Sequence, residues 1–220
     1  MLSEAVSKNQ EKRDFLPLFK VIKRWPSDRA KKWVLTFVKS SKTCSNIKAI
    51  VVFGSVIRNV DYSIDIDLLV IYSKEKPRIS PPIDVDVRAY QYLDIDTLIK
   101  QGSEVLGWAI RFGRTLHEKN RYWTKVCKKW KERLPLPSAE EAEKRAERAK
   151  KYFHDLKQLG DEDAANEQLI TMLTQLARAN LIRAGIFPTS RPELPNQLSA
   201  IGKNEIAIQL SNLLEERKIL

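Results

Sequence analysis

The sequence has few cysteines and no long apolar run, and each absence excludes a class of protein. Its 220 residues include two cysteines, Cys44 and Cys127, too few for a disulfide framework or for a zinc site on their own. We interpret them as reduced, buried thiols of a cytoplasmic protein. No run of 18 apolar residues occurs, so we expect no membrane-spanning helix and no membrane partner. The first residues are too polar and too acidic for a signal peptide.

The composition is that of a globular protein with an excess of positive charge. Apolar residues make up 43% and charged residues 30% of the chain, and the formal net charge is +11, which indicates an anionic partner. Residues 1–48 contain 12 basic and 4 acidic residues, and residues 111–133 contain 9 and 2. Residues 60–96 contain 8 acidic and 4 basic residues. An acidic segment between basic flanks is typical of a metal site that faces a polyanion, although ordinary surface variation also produces it.

The first 134 residues show both helical and strand patterns. Ser27 is placed to cap a helix whose apolar residues recur at spacings of three and four. Two apolar runs and one alternating run predict strands over residues 49–53, 66–72 and 83–90. Further helices are expected over residues 94–101, 104–116 and 121–133.

The remaining residues have only helical patterns. Ser138 and Glu141 form a capping-box sequence before helices expected near residues 140–159, 163–184, 193–200 and 205–217. The predicted fold class is α+β, with a small mixed β-sheet flanked by helices and followed by an all-α helical bundle. The predicted domains are residues 1–134, including an N-terminal helical extension, and residues 135–220.

A group of polar residues follows the predicted strands in a suggestive order. Gly54-Ser55 ends the first strand, Asp65 and Asp67 begin the second, and Asp86 lies on the third. Glycine lets backbone amides approach a phosphate, and a helix starting at Ser55 would favour the same anion. Two aspartates at i and i+2 project from one face of a strand. With a third carboxylate they form a set of hard oxygen donors suited to Mg²⁺. Each motif alone is common; their order favours a functional site.

These motifs resemble those of the DNA polymerase β-like nucleotidyltransferase superfamily. FGSVIRNVDYSIDIDLLV is similar to its Gly-Ser…Asp-x-Asp signature, and DVDVRAY is similar to its third-carboxylate strand. The resemblance covers residues 47–118. It implies the nucleotidyltransferase fold and a dependence on two Mg²⁺ ions, with Mn²⁺ as an alternative. It also implies transfer of a nucleoside monophosphate from a nucleoside triphosphate, with ATP expected, to an acceptor hydroxyl and release of pyrophosphate.

The resemblance also assigns roles to the acidic residues. Asp65 and Asp67 would bind both metals, and Asp86 would bind the catalytic metal and help to deprotonate the acceptor hydroxyl. Asp84 is the alternative candidate for the third carboxylate, because it lies on the same predicted face of the strand as Asp86. Asp86 is preferred because Asp-Val-Arg resembles the motif of polymerases in this superfamily, which would place Arg88 beside the metal carboxylate.

Nucleotide binding is assigned to the turn after the first strand. By resemblance, Gly54 and Ser55 would hold the triphosphate, and Arg58 is a candidate phosphate contact or else a solvated arginine. The sequence departs from the usual pattern at Asn59, which replaces a second glycine, and at Ile64, which replaces a small hydroxyl residue. These departures concern the geometry of the substrate loop.

Several alternatives remain open at the level of the sequence. The helical region resembles in outline the bundles of kanamycin nucleotidyltransferase-like proteins, which implies either a bundle that closes one side of the cleft or a homodimer contact through the bundle. The acceptor is a small molecule, a protein hydroxyl or an RNA end. The competing functions are an antitoxin-like protein-binding module and an RNA- or tRNA-tailing enzyme. Trp123 and Trp130, interleaved with lysines, favour core packing over base stacking.

Overall fold

The computed structural model describes residues 21–22, 24–58 and 65–219, with side chains described as far as residue 216. The chain divides into two compact units between Pro135 and Leu136. The first has a four-stranded mixed sheet with flanking helices and the second is helical, which confirms the predicted α+β class. The departures noted at Asn59 and Ile64, and any extension before residue 21, lie outside the described residues.

The sheet of the first unit has the order β3-β2-β1-β4. Its strands are β1 (Ile47–Phe53), β2 (Ile66–Tyr72), β3 (Val85–Gln91) and β4 (Arg114–Glu118). The pairing of β2 with β3 is parallel, whereas β1 pairs with both of its neighbours in the antiparallel sense. The two central strands are apolar and buried along most of their length, as expected for strands that are covered on both faces.

Helices cover the two faces of this sheet. They are α1 (Asp28–Thr43), α2 (Ile95–Lys100), α3 (Glu104–Phe112) and α4 (Tyr122–Trp130). The predicted cap of α1 is confirmed, because the Ser27 hydroxyl accepts a hydrogen bond of 3.0 Å from the Ala30 amide. The buried side chains of α1 pack with Ile50 and Leu68 on one face of the sheet. Since side chains alternate along a strand, Asp67 projects from the opposite face.

The structure corrects the prediction of a helix over residues 104–116. Helix α3 ends at Phe112, and the next residues form β4, which pairs with β1 at the edge of the sheet. A side chain at Gly113 would place its Cβ 2.2 Å from the Ala109 carbonyl oxygen and 2.7 Å from Val51 Cγ1. Only glycine fits there, so the backbone can turn tightly from α3 into the edge strand.

The cysteine prediction also needs correction. Cys127 is half-buried, but Cys44 is exposed after the end of α1, so it is not a core thiol. Both are free cysteines, in agreement with the expectation of reduced thiols. Their burial therefore differs although their sequence contexts do not reveal it.

In the described residues, the second unit consists of four α-helices and a 3₁₀ turn (Arg191–Glu193), and it has its own apolar core. They are α5 (Ala139–Gln158), α6 (Glu162–Arg183), α7 (Leu194–Ala200) and α8 (Asn204–Ile219). Ser138 caps α5 by accepting a hydrogen bond of 3.1 Å from the Glu141 amide, while the Glu141 carboxylate pairs with Lys144. The core is formed by α6, α7 and α8, and its fully buried residues include Leu181, Leu194, Leu198 and Leu210. In the described part of the chain, the helices are too short or too polar to cross a membrane.

Candidate active site

The sheet brings two of the predicted acidic residues together. The parallel register of β2 and β3 pairs Asp67 with Asp86, and the antiparallel register of β1 and β2 pairs Asp67 with Phe53. Directly paired residues on neighbouring strands project from the same face and are close. Asp65 immediately precedes β2 and is half-buried. The strand order therefore places the Asp-x-Asp motif next to both Asp86 and the end of β1.

Gly54 brings the backbone turn into contact with this acidic group. Its backbone has φ of 82° and ψ of −160°, a conformation essentially restricted to glycine. A Cβ at this position would lie 2.0 Å from Asp67 Oδ2. The Asp67 carboxylate thus fills the space that a side chain at position 54 would need. The Gly-Ser turn and the Asp-x-Asp motif, separated in sequence, belong to one site.

The segment after Gly54 is not the helix that the sequence suggests. Ser55–Ile57 forms a single 3₁₀ turn, and Arg58 has already returned to an extended conformation, with its amide donating to the Ser55 carbonyl at 3.0 Å. A turn of three residues has too few aligned peptides for a helix dipole. The expected helical N-terminus is therefore absent from this position, and an anion there would depend on turn amides and side chains.

The two candidates for the third carboxylate have different surroundings. The Asp84 carboxylate accepts a hydrogen bond from the Ser27 hydroxyl, at the start of the helix that covers the other face of the sheet. The Asp86 carboxylate accepts from Arg88 Nε at 2.9 Å and lies 2.7 Å from Arg88 Nη2. Arg88 thus lies beside Asp86, where the motif predicts it. Strand register and contacts both favour Asp86 as the partner of Asp67.

The donor chemistry of the acidic group suits Mg²⁺, because carboxylate oxygens are its usual protein ligands. Nevertheless, within residues 21–22, 24–58 and 65–219 no three His, Cys, Asp or Glu side chains are arranged to hold a metal ion. The Asp86 carboxylate is instead turned to Arg88, in an ion pair whose side chains are 40% and 57% exposed. Exposed ion pairs contribute little free energy. A cation would therefore have to replace only a weak contact of Asp86.

The tryptophans of α4 belong to the core. Trp123 and Trp130 are 2% and 7% exposed, and Trp130 Nε1 donates a hydrogen bond of 2.6 Å to Asp96 Oδ1. Lys129 Nζ lies 2.5 Å from the other oxygen of the same carboxylate. These hydrogen bonds, from Lys129 first and Trp130 second, lower the pKa of Asp96. Burial confirms the core interpretation of these rings and leaves them unable to stack on bases.

Sequence reasoning missed an aromatic residue beside the Gly-Ser turn. The Arg58 guanidinium carbon lies 4.3 Å from the centroid of the Phe112 ring. The predicted helix over residues 104–116 continues past Phe112, so it does not place this residue at the turn into the edge strand. The available signal was Gly113, because glycine commonly follows the last residue of a helix.

Comparison with known proteins agrees with the motifs. Residues 31–137 match the model of the family described as "Nucleotidyltransferase domain". The structure is similar to a nucleotidyltransferase-like protein from Exiguobacterium sibiricum, with 16% identity and a TM-score of 0.35, over 84% of this chain and 74% of that one. These values are too low to transfer residue roles. No curated protein matches the chain.

Proposed function

We propose that the protein is a Mg²⁺-dependent nucleotidyltransferase, because residues 31–137 match the model of the nucleotidyltransferase domain family, in agreement with the sequence motifs. It transfers a nucleoside monophosphate from a nucleoside triphosphate, with ATP as the expected donor, to an acceptor hydroxyl and releases pyrophosphate. The observation that carries the proposal is the pairing of Asp67 with Asp86 beside Gly54. This arrangement combines a carboxylate pair with the Gly-Ser turn to which phosphate binding is assigned.

In this proposal the acidic residues hold the divalent ions. Asp65, Asp67 and Asp86 are the ligands, and Asp86 leaves its contact with Arg88 to take part. When bound, two such ions, Mg²⁺ or Mn²⁺, stabilise the attacking and leaving oxygens of a phosphoryl displacement. A carboxylate oxygen of Asp86 also accepts the proton of the acceptor hydroxyl.

The turn after β1 binds the triphosphate in the same proposal. Gly54 brings the turn against the Asp67 carboxylate, which fills the space that a Cβ would need, so a triphosphate bound at the turn would lie beside the proposed metal ligands. Ser55 offers its amide and hydroxyl as donors, and Arg58 contributes a permanent positive charge. These groups orient the α-phosphorus toward the acceptor, which is the principal contribution that a protein makes to phosphoryl transfer.

Substitution of single carboxylates tests the proposal. We expect Asp67→Asn and Asp86→Asn to reduce labelled-nucleotide transfer by more than about 100-fold, beyond the effect typical of a group that only supports a ligand. The matched control is Asp84→Asn, which should keep most of the activity because Asp84 serves the N-terminus of α1. Circular dichroism checks that each variant folds. Transfer by Asp67→Asn at the wild-type rate would contradict the proposed function.

A second candidate, tailing of RNA, is favoured by the exposed face of α4. Arg121, Lys125 and Lys128 recur at helical spacing and are all exposed. Such a row of cations suits a phosphate backbone, whose binding weakens steeply with salt. If RNA is the acceptor, we expect the logarithm of its binding constant to fall linearly with the logarithm of the salt concentration. Affinity independent of salt would contradict this candidate and leave a small molecule or a protein hydroxyl as acceptor.

A further inference from the structure

A stack of aromatic rings leads from the core to Arg58. Trp108 is 6% exposed, and its ring centroid lies 4.8 Å from that of Phe112, with the two planes tilted by 56°. Phe112 in turn has the Arg58 guanidinium carbon 4.3 Å from its centroid. An arginine this close to an aromatic ring is attracted by the electrons of its face. The guanidinium is therefore in contact with a ring that is itself braced by a buried tryptophan.

The backbone on both sides of this contact is fixed. Phe112 ends α3, and Gly113 packs so tightly against the Ala109 carbonyl and Val51 that no side chain fits there. Val51 pairs with Leu69, so it projects from the same face of the sheet as Asp67. Phe112 is thereby held near the end of β1 on the acidic side of the sheet.

The other partner is fixed by the Gly-Ser turn itself. The Arg58 amide donates to the Ser55 carbonyl at 3.0 Å, which sets the point from which the arginine side chain leaves the backbone. An arginine side chain has several rotatable bonds, and ordering it costs conformational entropy. Contact with Phe112 lowers this cost at the moment of ligand binding, because the side chain is already ordered. The guanidinium carbon lies 4.3 Å from the ring centroid, and the N–H donors of a guanidinium lie in its plane, in the arrangement that binds phosphate oxygens.

We propose that Phe112 is a positioning residue whose ring holds the Arg58 guanidinium beside the Gly54–Ser55 turn for contact with the polyphosphate of the nucleotide. The inference rests on the proposed function and adds to it a residue that lies outside the recognised motifs. It also gives Trp108 a role, as the buried support of the Phe112 ring.

Binding of inorganic tripolyphosphate, measured by calorimetry, tests the inference without requiring an acceptor. We expect Phe112→Leu to raise its Kd, and the KM for the nucleotide, by about three- to tenfold, as suits the loss of one cation–π contact. The kcat should stay within about twofold of the wild-type value. Phe112→Tyr keeps an aromatic ring and should restore binding. A Phe112→Leu variant with wild-type affinity would overturn the inference.

A double-mutant comparison separates positioning from general destabilisation. Arg58→Met should weaken binding by itself, and adding Phe112→Leu should then have no further effect, because the ring acts only through the arginine. An equal loss in both backgrounds would overturn the inference.

Should Phe112→Leu fail to fold, a second variant tests the same contact. Arg58→Lys keeps the charge but loses the planar contact with the ring, and we expect it to weaken tripolyphosphate binding similarly. A wild-type protein that binds neither tripolyphosphate nor nucleotide overturns the proposed function, whereas wild-type binding that these variants leave unchanged overturns the inference alone.

Discussion

At the scale of the residue, position 54 tolerates only glycine. Any side chain at this position meets two obstacles, a backbone conformation with φ of 82° and ψ of −160°, and a carboxylate oxygen 2.0 Å from the Cβ. The conformational strain alone costs about 1–3 kcal/mol. We expect Gly54→Ala to lower the free energy of unfolding by at least this amount, and to abolish nucleotide transfer because Asp67 is displaced. Chemical denaturation and a transfer assay measure the two effects.

Gly160 is the matched control for this substitution. It also has a positive φ, of 77°, but nothing lies within 4 Å of a Cβ built there. Gly160→Ala should therefore cost only the strain of the left-handed backbone, about 1 kcal/mol, and leave transfer intact. If both variants lost the same stability and kept the same activity, the close contact between Gly54 and Asp67 would not be required for nucleotide transfer.

The two cysteines should differ in reactivity. Cys44 is exposed, whereas burial raises the pKa of Cys127 to about 11. With this pKa, Cys127 is almost entirely protonated at pH 8, and the thiol reacts slowly because the thiolate is the reactive form. We expect a chromogenic disulfide reagent to titrate one thiol rapidly in the folded protein and the second only after denaturation. Cys44→Ser should remove the rapid phase; a rapid phase that persists would contradict the assignment.

The sequence could indicate which residues are candidates for the site, but not which contacts they make. Gly54, Asp67 and Asp86 stand out in the sequence because their order follows the predicted strands. Whether Asp84 or Asp86 faces Asp67 depends on where β3 begins and on its register with β2, which are set by pairing between distant segments. In the structure Asp84 accepts a hydrogen bond from Ser27, which favours Asp86 as the partner of Asp67.

At the scale of the element, the sheet shows where sequence patterns suffice and where they fail. β1 and β2 were predictable because they are buried on both faces and appear as apolar runs. β4 was missed because residues 114–118 are mostly polar and half-exposed or exposed, so no periodicity marks them as a strand. Its conformation comes from pairing with the edge of β1. An edge strand of this kind takes its structure from its neighbour.

A single carboxylate joins α2 to α4, and its protonation should affect stability. Asp96 on α2 accepts hydrogen bonds from Lys129 and Trp130 on α4, which hold its pKa below the ordinary value. A lowered pKa in the folded state stabilises the protein above the pKa of the unfolded state, and this contribution is lost as pH falls through the folded value. Because the carboxylate is about half exposed, we expect Asp96→Asn to cost less than about 1 kcal/mol at pH 7.

The pH dependence distinguishes this contact from a general loss of helix packing. The stability difference between wild type and Asp96→Asn should shrink once the pH is well below the pKa of an ordinary aspartate, since the wild-type carboxylate is then protonated as well. Asp94→Asn is the control, because Asp94 is exposed and makes no capping hydrogen bond at the start of α2. Thermal unfolding between about pH 2 and pH 7 gives the comparison, because the pKa of Asp96 in the folded state lies below that of an ordinary aspartate. A difference that stays constant with pH would contradict the role of the charge.

At the scale of the whole molecule, the division into two units follows from where apolar residues are concentrated. The cluster around Ile50 contains residues of the sheet and α1, and the cluster around Leu194 contains residues of α6, α7 and α8. The Leu-Pro-Leu-Pro sequence between the units predicted a boundary near residue 134, because proline cannot continue a helix. The family match, residues 31–137, ends close to the same position. In contrast to this predicted boundary, no short motif indicates what the helical unit binds.

Two separate cores should respond separately to substitution. Ile50 and Leu194 are both fully buried, each in a different cluster, and truncating either to alanine removes a large apolar side chain at a cost of about 2–5 kcal/mol. We expect calorimetry to resolve two transitions, with Ile50→Ala lowering the temperature of one and Leu194→Ala that of the other. The Leu194→Ala protein should still bind tripolyphosphate at a temperature between the two, because the Gly54 turn and its carboxylates belong to the first unit. A single transition shifted equally by both variants would show that the two cores unfold as one.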